Sequence, residues 1–143
     1  MARTDRVRTA DELTTLVSQL SRRLRAVSSE AELTPSQTSV MGRLAKTGPA
    51  TTAALARGEL VRPQSMRATL AALEERALVV RAPHPTDGRQ VVFSLTPQGA
   101  DLLRSGRRAR RGWLARAIEA ELTADEHQAL VEVLPLLHRL VEA

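Results

Sequence analysis

Three observations predict a mainly α-helical fold carrying one small β-hairpin. The first is apolar spacing, since Leu13, Leu16, Val17, Leu20, Leu24 and Val27 recur every three or four residues, the mark of an amphipathic helix. The second is a set of helix-start signatures, each a Thr followed at once by Pro or three residues later by Gln or Glu. The third is a single change of period from 3.6 to 2, confined to Gln90–Leu95, where Val91, Phe93 and Leu95 alternate with Gln90, Val92 and Ser94.

Taken in order, the first helix is expected over Asp5–Val27, long for a chain of 143 residues. Thr34-Pro35-Ser36-Gln37 forms a capping box, with Thr34 as N-cap, Pro35 in the first helical position and Gln37 reaching back, so a second helix runs from there to about Lys46. The stretch Thr47–Thr52 breaks it, and Thr51 or Thr52 caps a short third helix that ends near Arg57 or Gly58. A fourth begins at Pro63, with Met66, Leu70, Leu73 and Ala77 on one core-facing stripe. Leu78–Arg81 is the strand partner of Val91–Leu95, joined by a projecting loop whose turn formers are Pro83, Pro85, Asp87 and Gly88. Thr96-Pro97 caps a fifth helix to about Glu121. Thr123 and Glu126 form another box and open the last helix, which Pro135 is expected to kink or end early.

This order predicts a single domain over 1–143 with a winged helix-turn-helix lobe at 34–99, flanked by helical segments at 5–27 and 97–143. The stripes Leu13, Leu16, Leu20, Leu24 and Leu130, Leu134, Leu137, Val141 exceed what so small a lobe can cover, and a helical dimer interface is their simplest use.

Composition narrows the function. The chain holds 21 basic and 16 acidic side chains, a formal charge of +5, and Lys46 is its only lysine. Such a balance favours a nucleic-acid or other anionic partner. Cysteine is absent, which excludes thiolate catalysis, cysteine-ligated metals, disulfides and thiol redox sensing. The three histidines, His84, His127 and His138, have no metal-ligand spacing, and no nucleophile elbow, phosphate loop or dinucleotide fingerprint occurs. No enzyme, metal or cofactor is therefore expected. The charged N-terminus and the lack of a long apolar run predict a soluble, cytoplasmic protein without a membrane partner.

The fourth helix presents Gln64, Ala68 and Ala71 opposite its core stripe, with Ser65 and Arg67 beside them. Short side chains and a few polar ones near a helix N-terminus suit entry into a DNA major groove. The same face also fits any solvent-facing helix. In the wing loop, Asp87 and Arg89 stand two residues apart, so the acid could hold the guanidinium for insertion into a narrow minor groove, or the two could form an ordinary surface ion pair. The fifth helix carries Arg104, Arg107, Arg108, Arg110, Arg111 and Arg116, which read either as a solvated face or as a second phosphate track. Trp113 reads as core or dimer packing ahead of part of a ligand site.

Three segments carry a family resemblance: LTPSQTSVMGRLA, TTAALARGELVRPQSMRATLAALEERALVVR and DGRQVVFSLTPQG. Together the chain resembles the MarR family of transcriptional regulators. The wing is its most specific part, with Asp87 and Arg89, then alternating apolar residues, then Leu95, Thr96 and Gly99. The resemblance implies an obligate homodimer acting as a sequence-specific regulator, in most such cases a repressor, on a pseudo-palindromic operator in double-stranded DNA. It also implies release by a small anionic or phenolic ligand bound between the dimer region and the DNA-binding lobe. Carried over residue by residue, Gln64, Ser65 and Arg67 read bases, Arg89 enters the minor groove oriented by Asp87, and Arg62 and Thr51 hold phosphates. The chain departs from the pattern at Glu59-Leu60-Val61, where a Leu-Gly pair is frequent, at Arg62, which replaces a Ser cap, and at Gly88, which replaces a basic residue. A sequence-nonspecific architectural DNA-binding protein is the alternative, for which the arginines of the fifth helix argue.

Overall fold

The computed structural model describes residues 3–28 and 32–143, arranged as six helices and a three-stranded sheet. The helices are α1 (Arg3–Ala26), α2 (Pro35–Thr47), α3 (Thr52–Glu59), α4 (Pro63–Glu75), α5 (Pro97–Glu121) and α6 (Ala124–Val141). The strands are β1 (Ala50–Thr51), β2 (Val79–Pro83) and β3 (Val91–Leu95).

The helix starts follow their side-chain chemistry. Thr34 Oγ1 accepts from the Gln37 amide at 3.1 Å while Gln37 Oε1 accepts from the Thr34 amide at 3.0 Å. Thr123 and Glu126 repeat the exchange at the start of α6, and Thr96 accepts from the Gly99 amide at the start of α5. Each box satisfies amides that the first turn would otherwise leave without a partner.

The sheet is larger than a hairpin. Ala50 and Thr51 pair antiparallel with Phe93 and Val92, so β3 is the central strand and the order is β1-β3-β2. In the β2–β3 register Val79 faces Leu95 and Pro83 faces Val91. Thr51 thus serves twice, as a sheet residue and as the N-cap of α3, where its Oγ1 accepts from the Ala54 amide at 3.1 Å.

One core gathers Leu33, Val40, Met41, Leu44, Leu55, Ala56, Met66, Leu70, Leu73, Leu78, Val79, Phe93 and Leu103. Ala77 does not join the stripe predicted for it: it is exposed, with a left-handed φ of 57°. The reason is how α4 ends, for the Leu78 amide reaches back to the Leu73 carbonyl at 3.0 Å and the Ala77 amide to Glu74 at 2.9 Å. That closure swings Ala77 outward and buries Leu78 instead. Helix α3 ends the same way, with the Val61 amide on the Ala56 carbonyl and Leu60 in the left-handed position at φ 56°.

Pro135 does not end α6, which continues to Val141. Proline removes the bond that residue 135 would give to the carbonyl of Val131, and Val131 lies on an exposed turn where solvent can reach that oxygen. Neither α1 nor α6 has a buried residue, and Leu16, Val17, Leu20, Leu134, Leu136, Leu140 and Val141 are exposed in the single chain. Leu13, Leu24, Leu130 and Leu137, from the same predicted stripes, are half-buried.

Gly99 marks the closest approach in the lobe. A Cβ there would lie 2.3 Å from the Leu78 carbonyl oxygen and 2.8 Å from Leu95 Cδ1. Gly99→Ala is therefore expected to destabilise the fold by about 1–3 kcal/mol through overpacking, read as a lowered midpoint in urea unfolding with an unchanged slope.

Candidate nucleic-acid interface

The site is built on the N-terminal end of α4 and the loop between β2 and β3. Arg62 is the N-cap of α4 and makes no side-chain capping bond, so its guanidinium is left to reach outward, and Pro63 occupies the first turn. Gln64, Ser65 and Arg67 follow, all exposed, while Met66, Leu70 and Leu73 are buried on the opposite side. The spacing that buries three residues necessarily turns the polar ones outward.

The wing loop is organised differently from expectation. Asp87 does not hold the Arg89 guanidinium: its Oδ1 accepts from the Arg89 backbone amide at 3.1 Å and its Oδ2 from Gln90 Nε2 at 3.0 Å. The carboxylate is used on the loop backbone because two residues of separation matches an Asx turn. His84 completes the loop from the other side, with Nδ1 accepting from the amides of Thr86 at 3.2 Å and Asp87 at 3.0 Å. The His84 amide donates to the Gln90 carbonyl at 3.0 Å and closes the hairpin. Arg89 is exposed and free of any ion pair among the described residues.

Between α4, the start of α3 and the base of the wing lies a groove of about 610 Å³. Thr51, Arg67 and Arg89 line it together, joined by Arg57, Gln90 and Thr52, and none of its lining residues is acidic. Arg62, Gln64, Ser65 and Asp87 are not among the lining residues. Arg57 was missed by sequence reasoning; its place in the last turn of α3, four residues after Ala53, was the only signal.

Two ion pairs hold the surrounding elements in place. Arg81 on β2 donates from Nε and Nη2 to the two carboxylate oxygens of Glu74 on α4, both at 2.8 Å, and its guanidinium lies 5.3 Å from the centre of the Phe93 ring. These hydrogen bonds hold the Glu74 carboxyl below its ordinary 4.5 and raise Arg81 further. The acid near the far end of α4 is thereby neutralised, and the recognition-type helix is tied to the wing. Arg43 on α2 pairs with Glu59 at 3.0 Å and donates to the Gly58 carbonyl at 2.9 Å, while Ser39 donates to the same carboxylate. Arg43 packs close over Gly58, so a Cβ there would lie 2.7 Å from Arg43 Nη1 and displace the guanidinium.

Because the folded carboxyl of Glu74 titrates below the unfolded one, the pair stabilises the fold above about pH 4.5 and the contribution is lost as pH falls through the lowered value. The difference in Tm between the native chain and Glu74→Gln is expected to be present at pH 7 and to shrink as the pH falls below about 4.5, as read by circular dichroism.

On α5, Arg104 pairs with Asp101, and Arg107, Arg108 and Arg111 are exposed. Trp113 is half-buried, with the Arg23 guanidinium of α1 5.4 Å from its ring centre, so it joins two helices and is not part of the core. Among the described residues no group of His, Asp or Glu could hold a metal ion, and no helix is long and apolar enough to cross a membrane.

A helix-turn-helix whose second helix shares one arginine-lined groove with a β-wing defines the winged helix class of DNA-binding folds. Comparison with known proteins gives the family. A model described as MarR family matches residues 31–90. A helix-turn-helix-type transcriptional regulator of Mycobacterium tuberculosis is 42% identical over 135 residues that cover 94% of each chain, and one of Mycobacterium leprae is 38% identical over the same share. Among solved structures, a chain described as a transcriptional regulator from Pseudomonas aeruginosa PA01 is 34% identical with a TM-score of 0.86, covering 99% of both chains. MarR from E. coli, at 23% identity and TM-score 0.69 over 90% of this chain and 95% of its own, shares the fold. The chain belongs to the MarR family of helix-turn-helix transcriptional regulators.

Proposed function

We propose that the protein is a homodimeric repressor that reads a pseudo-palindromic operator in double-stranded DNA. Residues 34–99 form the DNA-binding lobe, and the helical segments 5–27 and 97–143 form the dimer region. The N-terminal end of α4 enters the major groove, where Gln64, Ser65 and Arg67 meet base edges, and Arg89 enters the adjacent minor groove. Arg62 and Thr51 hold phosphates, and Asp87 acts through the loop backbone. The observation that carries this reading is the convergence of Arg67 and Arg89, from two separate elements, on one groove without an acid.

The exposed leucines and valines of α1 and α6 support the dimer, since apolar stripes of this size on a helix surface need cover. Two-fold symmetry then sets half-site centres about 34–36 Å apart, one helical turn. A cleft of about 250 Å³ lined by Ser21, Leu24, Arg25, Thr38 and Arg110 lies between α1, α2 and α5. Its two arginines fit a small anionic or phenolic ligand that would reset the spacing of the two lobes and release the operator. The location is cytoplasmic, with DNA.

The test is a titration of the full chain against its own upstream intergenic duplex and an unrelated duplex of equal length, at two salt concentrations. A preference of about 10³-fold or more is expected for the operator. Equal, steeply salt-dependent binding to both would replace this reading with the architectural one.

A further inference from the structure

The two grooves of a duplex are divided by one sugar-phosphate strand. A protein that places one helix in the major groove and a loop in the neighbouring minor groove must carry that strand across the surface between them. In this chain the surface between α4 and the wing loop is the groove of about 610 Å³.

The arginines of residues 34–99 fall into two sets. Arg43, Arg76 and Arg81 are committed to Glu59, Glu32 and Glu74. Arg57, Arg62, Arg67 and Arg89 pair with no carboxylate among the described residues, and three of these four line that groove. Arg57 comes from α3, an element that reaches neither base edges nor the minor groove in the proposed docking. Its neighbour Gly58 gives its carbonyl to Arg43, which fixes the end of α3 and leaves the Arg57 guanidinium exposed on the groove wall.

We propose that Arg57 is a phosphate-holding residue that seats the strand dividing the major from the minor groove, in the groove that Arg67 and Arg89 also line. The inference rests on the operator-binding reading and adds to it a residue whose contribution is to affinity alone, independent of base sequence.

The test uses the full chain, Arg57→Ala and Arg57→Lys, each titrated against the operator and a random duplex across a series of salt concentrations. Arg57→Ala is expected to weaken both complexes by the same factor, leaving their ratio unchanged. With one Arg57 in each half of the dimer, the slope of log K against log salt should become shallower by about 1.8. Arg57→Lys, which keeps the charge, should restore the slope. The residue is exposed and pairs with no carboxylate among the described residues, so an unchanged Tm for both variants checks that folding is intact.

An unchanged slope in Arg57→Ala overturns the proposal. A loss confined to the operator also overturns it, because Arg57 would then be reading bases. Failure of the underlying reading has a different signature: the unmodified chain itself would show no preference for the operator, whatever Arg57 does.

Discussion

Arg89→Ala is expected to lower operator affinity about 10–100-fold per half-site, the equivalent of roughly 1–3 kcal/mol for a lost specific groove contact. The size follows from preorganisation. The loop is closed by the His84–Gln90 backbone bond, by two amides on His84 Nδ1 and by both oxygens of Asp87, so the Arg89 backbone is set before DNA arrives. Among the described residues its guanidinium has no carboxylate to leave, and a narrow minor groove attracts it by negative potential. Because the side chain is exposed, the fold should be untouched, with the same circular dichroism spectrum and Tm. Electrophoretic mobility shift with the operator measures the loss. Equal affinity in the variant would remove the wing from the DNA interface.

A double change of Leu16→Glu and Leu134→Glu is expected to separate the dimer and to cost operator affinity 100-fold or more. Both leucines are exposed in the single chain, at 60% and 46%, so neither supports the core. On the proposed reading both become covered by a second copy, and burying an unpaired carboxylate on each of four sites opposes association by several kcal/mol. A monomer meets one half-site only and loses the gain from linking two contacts on one duplex. Light scattering should give half the mass of the native species at the same helical content. An unchanged mass would place the dimer interface elsewhere.

Local chemistry carried most of the fold in the sequence. Thr34 with Gln37, Thr96 with Gly99, and Thr123 with Glu126 stand where their hydrogen bonds require, because a capping motif involves only neighbours within three residues. Strand β1 was not legible, since two residues have no period and its pairing with Val92 and Phe93 spans some forty positions of chain. The left-handed Leu60 and Ala77 were hidden for another reason: a Schellman closure usually announces itself by glycine, and here neither position has one. At the site, the polar end of α4 followed from the burial of Met66, Leu70 and Leu73. The partner of Asp87 did not, because an acid two residues before an arginine reaches the backbone amide as readily as the side chain. Arg57 gave only its place on α3 as a signal, since what distinguishes it from Arg43 is a carboxylate on Glu59 that only folding brings near one of them.

The double duty of Thr51 determines how the lobe can respond to anything that binds the chain. Its backbone belongs to the sheet that carries the wing, and its hydroxyl starts the helix that precedes α4. Glu74 and Arg81 close the circuit from the other side by joining α4 to β2. Wing and α4 are therefore linked at two separated points, so a force on one is passed to the other. The lobe meets its flanking helices where the chain enters at Leu33, whose carbonyl accepts from Arg25 of α1, and where it leaves at Thr96, whose hydroxyl donates to the Ala77 carbonyl.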